Sequence, residues 1–290
     1  LNGLVIVDKP RAMTSAAVVN RVRARLGVER AGHTGTLDPL ATGVLPVCLG
    51  EATKLAGHLI ADDKAYRATI VLGVETDTYD ADGMIVRTDE AAAHAVDRDA
   101  IAAALAHRTG AQLQTPPMFS AIKVGGRRLH ELARAGHDVA RVPRSISITR
   151  LDLIDFAPPR VVIDVECSKG TYVRSLAADL GHDLGCGAHL VELRRTRCGA
   201  FAVDRAIALE RLDPPTALAG MIPLAQITGL PNHVVDAITA RRVLNAVRMP
   251  AAILQIPATD DELQLVAEDG RLLAVAAIED GTLIYRRVFK

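Results

Sequence analysis

Residues 31–47, Ala-Gly-His-Thr-Gly-Thr-Leu-Asp-Pro-Leu-Ala-Thr-Gly-Val-Leu-Pro-Val, constrain this chain more than any other stretch. Gly32, Gly35 and Gly43, together with Pro39 and Pro46, sit between apolar runs, and Asp38 is the one acid among them. That density of glycine and proline predicts an ordered loop, neither helix nor strand. Glycine lets a backbone approach a ligand closely and take positive φ. A carboxylate held in such a loop is placed, not merely solvated. Asp38 therefore reads in one of two ways: as the cap of a turn, which an Asp before Pro often provides, or as a catalytic group.

Around this loop the chain alternates short strands and helices. Leu4–Val7 reads as a strand, and Thr14 or Ser15 caps a helix whose apolar residues Val18, Val19, Val22 and Leu26 recur every three to four positions. Arg21, Arg23, Arg25 and Arg30 lie on or beside its polar side. A second helix is expected from Glu51 to Ile60, closed by Asp62–Lys64. A strand follows at Tyr66–Leu72, an acidic connection at 73–83, a short strand at Met84–Val86 and a helix from Asp99 to about Gly110.

Residues 112–144 form an irregular excursion: Pro116-Pro117 excludes helix, Val124-Gly125-Gly126-Arg127 has the form of a tight hairpin, and Leu129–Ala135 suits one short helix. Strands at Ser145–Ile154, Val161–Cys167 and Ala188–Leu193 enclose a helix at Tyr172–Leu184. Beyond Pro214-Pro215 come a short helix near 216–220, a helix at Asp236–Val243 and three strands at Leu263–Val266, Leu272–Ile278 and Thr282–Val288, a small antiparallel unit. The fold class expected is mixed α/β (α+β), with a body over 1–220 and a small C-terminal domain over 221–290, as suits a chain of 290 residues.

Several chemistries drop out. The chain has neither G-x-G-x-x-G opening a helix nor G-x-x-x-x-G-K-[ST], and no G-x-S-x-G elbow. Cys48, Cys167, Cys186 and Cys198 show no C-x-x-C spacing, so buried thiols are expected rather than disulfides or zinc. No charged segment leads into an apolar run, and no run reaches transmembrane length, so a cytoplasmic location is expected. What remains is a cofactor-free enzyme built on a carboxylate, or a binding protein.

The formal net charge is zero, but it is unevenly spread: residues 120–150 carry +5 and residues 75–99 carry −6. Segregation of this kind makes a positive face on a neutral protein. Arg127, Arg128, Arg141 and Arg144 are the candidates there for phosphate contact. Tyr66 is either a core aromatic of its strand or a platform for a base, in a chain with four tyrosines and no tryptophan. Lys169, Tyr172 and Arg174 crowd a strand-to-helix junction, where open α/β folds place ligands. An arginine from that junction paired with Asp38 would keep the carboxylate ionised while desolvated. His33 is a loop or core histidine on its residues alone.

The 31–47 string, with Asn2-Gly3 and Asp8-Lys9-Pro10, Tyr66-Arg67, and Ser168-Lys169-Gly170-Thr171-Tyr172-Val173-Arg174, resembles the bacterial tRNA pseudouridine-55 synthase (TruB) family over residues 2 to about 210. The resemblance implies a pseudouridine-synthase fold around a large mixed sheet, an RNA-gripping thumb at 112–144, and a C-terminal PUA-like domain that is truncated or divergent, with a net −3 over 255–290. It implies that Asp38 is the essential carboxylate, that Tyr66 stacks on the target uracil, and that Arg174 pairs with Asp38. Tyr172 and Leu193 would line the base pocket, with Lys169 close by and His33 touching displaced RNA. Lys9, Pro10 and Gly35 would support the loop. The implied reaction turns uridine into its C-glycoside isomer in the T-loop of tRNA, with no metal, no cofactor, no membrane and no obligate protein partner; a monomer is expected. Two alternatives stand beside it: a guide-RNA-dependent relative, and a tRNA-binding chaperone that keeps Asp38 for structure only.

Overall fold

The computed structural model describes residues 1–59, 63–254, 256 and 262–290. In chain order the strands are β1 (Gly3–Lys9), β2 (Ala31–His33), β3 (Thr42–Leu49), β4 (Lys64–Leu72), β5 (Val74–Thr76), β6 (Ile85–Thr88), β7 (Gly110–Gln114), β8 (Lys123–Val124), β9 (Arg127–Arg128), β10 (Arg144–Ala157), β11 (Arg160–Cys167), β12 (Ala188–Cys198), β13 (Phe201–Ala202), β14 (Ile207–Ala208), β15 (Asn232–Val235), β16 (Leu263–Ala267), β17 (Leu272–Glu279) and β18 (Thr282–Val288). The α-helices are α1 (Ser15–Leu26), α2 (Ala56–Leu59), α3 (Glu90–Ala95), α4 (Arg98–His107), α5 (Leu129–Arg134), α6 (Val173–Asp183), α7 (Pro214–Gly220) and α8 (Ala237–Leu244).

One large mixed sheet runs β14-β1-β3-β12-β4-β11-β10-β7, with β2 added on β3 and β13 on β12. The parallel contact of β3 with β12 joins an N-terminal half, β1 and β3, to a second half of antiparallel strands. This join brings the Asp38 loop, which enters β3, beside strands that follow it by 150 residues in sequence. Tyr66, Ala68, Ile70 and Leu72 of β4 point into a core shared with Leu176, Ala177 and Leu180 of α6 and Ile101 and Leu105 of α4. Arg67 of the same strand faces outward and binds Asp164 on β11 at 2.8 Å. Period-two alternation thus sorts β4 into a core face and a charged face.

Capping fixes the helix starts. Thr14 accepts from the Ala17 amide at the head of α1, and Gly27 ends that helix at φ 62°. Asp89, Asp97, Asp213 and Asp236 cap α3, α4, α7 and α8 in the same manner.

The fold differs from the sequence reading in several places. The stretch 31–47 is not loop throughout: its ends pair as β2 and β3, and only 34–41 connects them, because Val44, Leu45 and Val47 are wholly buried and drive the chain into the sheet. The second helix is a 3₁₀ turn at Gly50–Leu55 and a short α2; the expected continuation to Ile60 and closure at Asp62 lie outside the described residues. The acidic connection contains β5, paired with β6. Helix α3, four alanines with Glu90 and His94, precedes the helix expected from Asp99, which begins one residue earlier behind the Asp97 cap. Gln112–Gln114 pair with Ile146–Arg144 in the main sheet. The C-terminal sheet is not purely antiparallel, since β15 runs parallel to β16. That sheet shares a core with the body: Val266, Leu272, Val275 and Phe289 pack with Leu4, Ile6 and Leu55.

The four cysteines are buried free thiols, as the spacing indicated. Burial pushes Cys48 up to about 12 and Cys167 to about 11. Among the described residues no helix is long and apolar enough to cross a membrane.

Candidate active site

The Asp38 loop is anchored from beneath by residues of β1 and α1. Lys9 is completely buried, and its ammonium donates to the carbonyls of Ala41 at 2.7 Å, Pro10 at 2.8 Å and Pro39 at 3.3 Å. Removal from water lowers its pKa to about 8; the Asp38 charge opposes this drop and the Arg195 charge adds to it. The buried Ser15 hydroxyl accepts from the Leu37 amide at 2.8 Å, and it lies 3.0 Å from the carbonyl of the same residue. The Ala12 amide, in a left-handed turn at φ 64°, donates to the Pro39 carbonyl. Both neighbours of Asp38 are thus held through their main-chain groups. The carboxylate itself stays accessible, with a side-chain exposure of 38%.

Arg174, at the start of α6, reaches across to that carboxylate. Its Nε donates to Asp38 Oδ2 at 2.8 Å and lies 3.5 Å from Asp80 Oδ2. Nη1 donates to the Thr78 carbonyl at 3.0 Å and Nη2 to the Phe119 carbonyl at 2.9 Å. One buried guanidinium therefore ties together the Asp38 loop, the β5–β6 connection and the segment after β7. Asp80 is buried, which raises its pKa, while the Thr78 hydroxyl and the Arg174 charge pull the other way. Charge-assisted bonds of this kind are short and directional.

Tyr66 lies on β4, with only 9% of its surface exposed. Burial pushes its phenol up to about 12, although Arg195 opposes this through charge and a side-chain hydrogen bond. At neutral pH the phenol is a proton donor, not a resting base. Tyr172, just before α6, is half-buried; burial raises its pKa, and a hydrogen bond with Ser120 works against the rise. Its backbone is clamped by the buried Gln114 side chain, which accepts from the Tyr172 amide at 2.8 Å and donates to its carbonyl at 3.1 Å.

The structure thus brings Asp38, Arg174, Tyr66, Tyr172, Lys9 and Pro10 to one end of the sheet. Leu193 is buried on β12, opposite Ala68 and two positions from Arg195. The Gly35 carbonyl accepts from Arg195 Nη2 at 3.3 Å. His33 ends β2, paired with Val47; burial, with the Arg195 charge, lowers its pKa, and its Nδ1 has no hydrogen-bond partner among the described residues. Lys169 is exposed on the turn between β11 and α6, outside these contacts among the described residues. Arg127 and Arg128 stand exposed on the β8–β9 hairpin, away from the cluster's hydrogen bonds. Arg141 donates to the Pro116 carbonyl at 3.2 Å, and Arg144 is exposed but near enough to favour Tyr172 ionisation.

Asp80, Ser15, Gln114 and Arg195 were not anticipated. Asp80 was lost in an acidic run, and Arg195 in the charged string Arg194-Arg195-Thr196-Arg197. Strand alternation held the signal for Arg195, because a residue two positions from the inward Leu193 shares its face.

Among described residues, no group of three or more histidine, cysteine, aspartate or glutamate side chains is arranged to hold a metal ion. The fold that carries this carboxylate, arginine and tyrosine is shared with solved structures. The Cbf5 chain of a Cbf5–Nop10–Gar1 complex superimposes with a TM-score of 0.72 at 25% identity, covering 99% of this chain and 85% of that one. Residues 23–173 match the TruB family pseudouridylate synthase N-terminal domain, and residues 174–219 match the tRNA pseudouridylate synthase B C-terminal domain. The tRNA pseudouridine synthase B of Aromatoleum aromaticum is 45% identical over 99% of this chain and 92% of its own. That of Symbiobacterium thermophilum is 52% identical over 79% of each. The chain belongs to the TruB family of pseudouridylate synthases.

Proposed function

We propose that this protein isomerises uridine to pseudouridine at position 55, in the T-loop of tRNA, with Asp38 as the essential carboxylate. The observation that carries the reading is the Arg174–Asp38 bond at 2.8 Å on a loop anchored by Lys9 and Ser15, in a chain of this family. The reaction breaks the N1–C1′ bond, turns the uracil and joins C5 to C1′, after which C5 loses its proton and N1 carries one. Nothing is added or removed.

The target base must first leave its stack, which costs a few kcal/mol. Stacking on Tyr66 returns about 1–3 kcal/mol of this. Tyr172 and Leu193 close the pocket around the detached uracil, and His33 and Lys169 contact RNA at its rim. Arg174 fixes the direction of the Asp38 carboxylate, so that attack on the sugar or base, or removal of the ribose 2′-proton, starts from one geometry. In this reading residues 1–220 form the catalytic body, 112–144 its RNA-gripping thumb and 221–290 a small PUA-like unit. The protein acts alone, as a monomer, on the T-arm. Arg127, Arg128, Arg141 and Arg144 of the thumb take phosphates. The 42–52% identity to bacterial tRNA pseudouridine synthase B proteins favours tRNA over a guided RNA target.

Tritium release from [5-³H]uridine in a T-arm hairpin tests the reading. Release by wild type and none by Asp38→Ala, with hairpin binding retained, is expected. Tight binding without release from hairpin or full tRNA, by wild type, would overturn it in favour of a binding or chaperone role.

A further inference from the structure

Arg195 is 1% exposed, among the largest fully buried side chains of the chain. Lys9, His33 and Tyr66 all feel its charge. No carboxylate among the described residues forms an ion pair with it; its Nε donates to the Val44 carbonyl at 2.6 Å and its Nη2 to the Gly35 carbonyl at 3.3 Å. Those carbonyls lie on either side of Asp38. In the sheet, Arg195 stands directly opposite Tyr66 on the antiparallel β4 and beside Gly43 on the parallel β3. Directly opposed residues project from the same face with Cβ atoms about 5 Å apart. A buried guanidinium is costly unless its geometry is used fully. Here its donors meet both flanks of the Asp38 loop, and the sheet register sets it directly across from Tyr66.

Resting on the function proposed above, we infer that Arg195 is a positioning residue that fixes Tyr66 and the two ends of the Asp38 loop to one another. Lys9 anchors the loop from below and Arg174 orients the carboxylate; Arg195 sets the distance between the carboxylate's loop and the aromatic that meets the base. A lysine at 195 keeps the charge but carries all its donors on one nitrogen, so it cannot reach the Val44 and Gly35 carbonyls through separate nitrogens as the guanidinium fork does.

The test uses the full chain labelled with 3-fluorotyrosine, whose four tyrosines give four ¹⁹F signals. The Tyr66 signal is assigned by its loss in Tyr66→Phe. Wild-type tritium release is measured first, and its absence counts against the proposed function itself. With wild type active, Arg195→Lys is expected to lose about 10- to 100-fold in single-turnover rate, the scale of an ångström-level misplacement. The hairpin Kd is expected to stay within about twofold, since Arg195 is too buried to grip RNA. The Tyr66 signal is expected to move while those of Tyr79 and Tyr285 do not. An unchanged rate overturns the inference. So does a rate loss with the Tyr66 signal unmoved, which would reduce Arg195 to a loop brace, or a Kd that weakens as much as the rate. Arg195→Gln replaces Arg195→Lys if the latter does not fold. Tyr66→Phe, which deletes only the phenol oxygen, is expected to lower the rate as well, and a full rate there overturns the inference whatever the Arg195 variants do.

Discussion

Arg174 meets Asp38 through a single nitrogen: Nε donates to Oδ2 at 2.8 Å, while the other two nitrogens donate to the Thr78 and Phe119 carbonyls. The same Nε lies 3.5 Å from the buried Asp80. Arg174 is therefore both the orienting partner of the exposed carboxylate and the countercharge of the buried one. Arg174→Met is expected to destabilise the protein by about 3–5 kcal/mol, the range for removing one partner of a buried pair. Adding Asp80→Asn removes the stranded charge, so the double variant should recover part of that stability without recovering activity. Urea unfolding with single-turnover kinetics checks both; a double variant no more stable than the single would show that Asp80 does not depend on Arg174.

The glycines of the loop are not equivalent. Gly43 has φ 99°, and a Cβ there would sit 2.2 Å from the Arg195 carbonyl oxygen, a backbone atom fixed in the sheet. At Gly35 a Cβ would meet only Arg195 Nη1, at an ordinary 3.7 Å. Gly43→Ala is expected to cost about 4 kcal/mol or more, at the strained end of the range for point variants, and Gly35→Ala to stay within about 0.5 kcal/mol. Denaturant midpoints compared across the pair decide it; equal costs would mean that the β3–β12 contact is looser than its register implies.

Lys9 gives stability a pH dependence of known sign. Unfolded, it takes up its proton near 10.5, and folded only near 8. Between these values the unfolded state binds more protons, so stability rises with pH across the window. As pH falls from 10.5 to 8 this contribution is lost, and below 8 it is flat. The whole step is at most about 3.4 kcal/mol, at about 1.36 kcal/mol per unit. Lys9→Met removes the titrating group, so wild type should show a steeper rise than the variant between pH 8 and 10. Parallel profiles would mean that Lys9 is not desolvated as its surroundings indicate.

How much of this was legible in the sequence depended on range. Thr14 bounds α1 by local chemistry and was readable as a cap; Gly27, which ends the helix at φ 62°, was not singled out. The alternation of Tyr66, Ala68, Ile70 and Leu72 announced a strand. The Asp38 loop stood out because its composition fits no regular element. Its ends did not: Val44 to Leu49 are strand because they are buried between β1 and β12, a fact of tertiary pairing. The Thr78 and Phe119 carbonyls carry no sequence signal, because any residue supplies a carbonyl. Arg195 is chemically identical to its half-buried neighbours Arg194 and Arg197, and the sheet register, which sets it opposite Tyr66, buries it fully.

The thumb arginines divide by what they already hold. Arg127 and Arg128 have exposed side chains on the β8–β9 hairpin, where the proposed function has them take RNA phosphates. Arg141 donates to the Pro116 carbonyl, so it also fastens the end of the thumb to its beginning, the segment leading to Phe119, whose carbonyl holds Arg174. Arg127→Ala or Arg128→Ala should therefore weaken hairpin binding while leaving the single-turnover rate at saturating RNA unchanged. Each should reduce the slope of log K against log salt by about one unit, as expected for one lost phosphate contact. Arg141→Ala should lower the saturating rate as well, because it loosens one of the carbonyls that hold Arg174. Filter binding at four salt concentrations, paired with single-turnover rates, separates the two classes. An Arg141→Ala variant whose saturating rate matches wild type would show that the thumb grips RNA without bracing the Asp38–Arg174 pair.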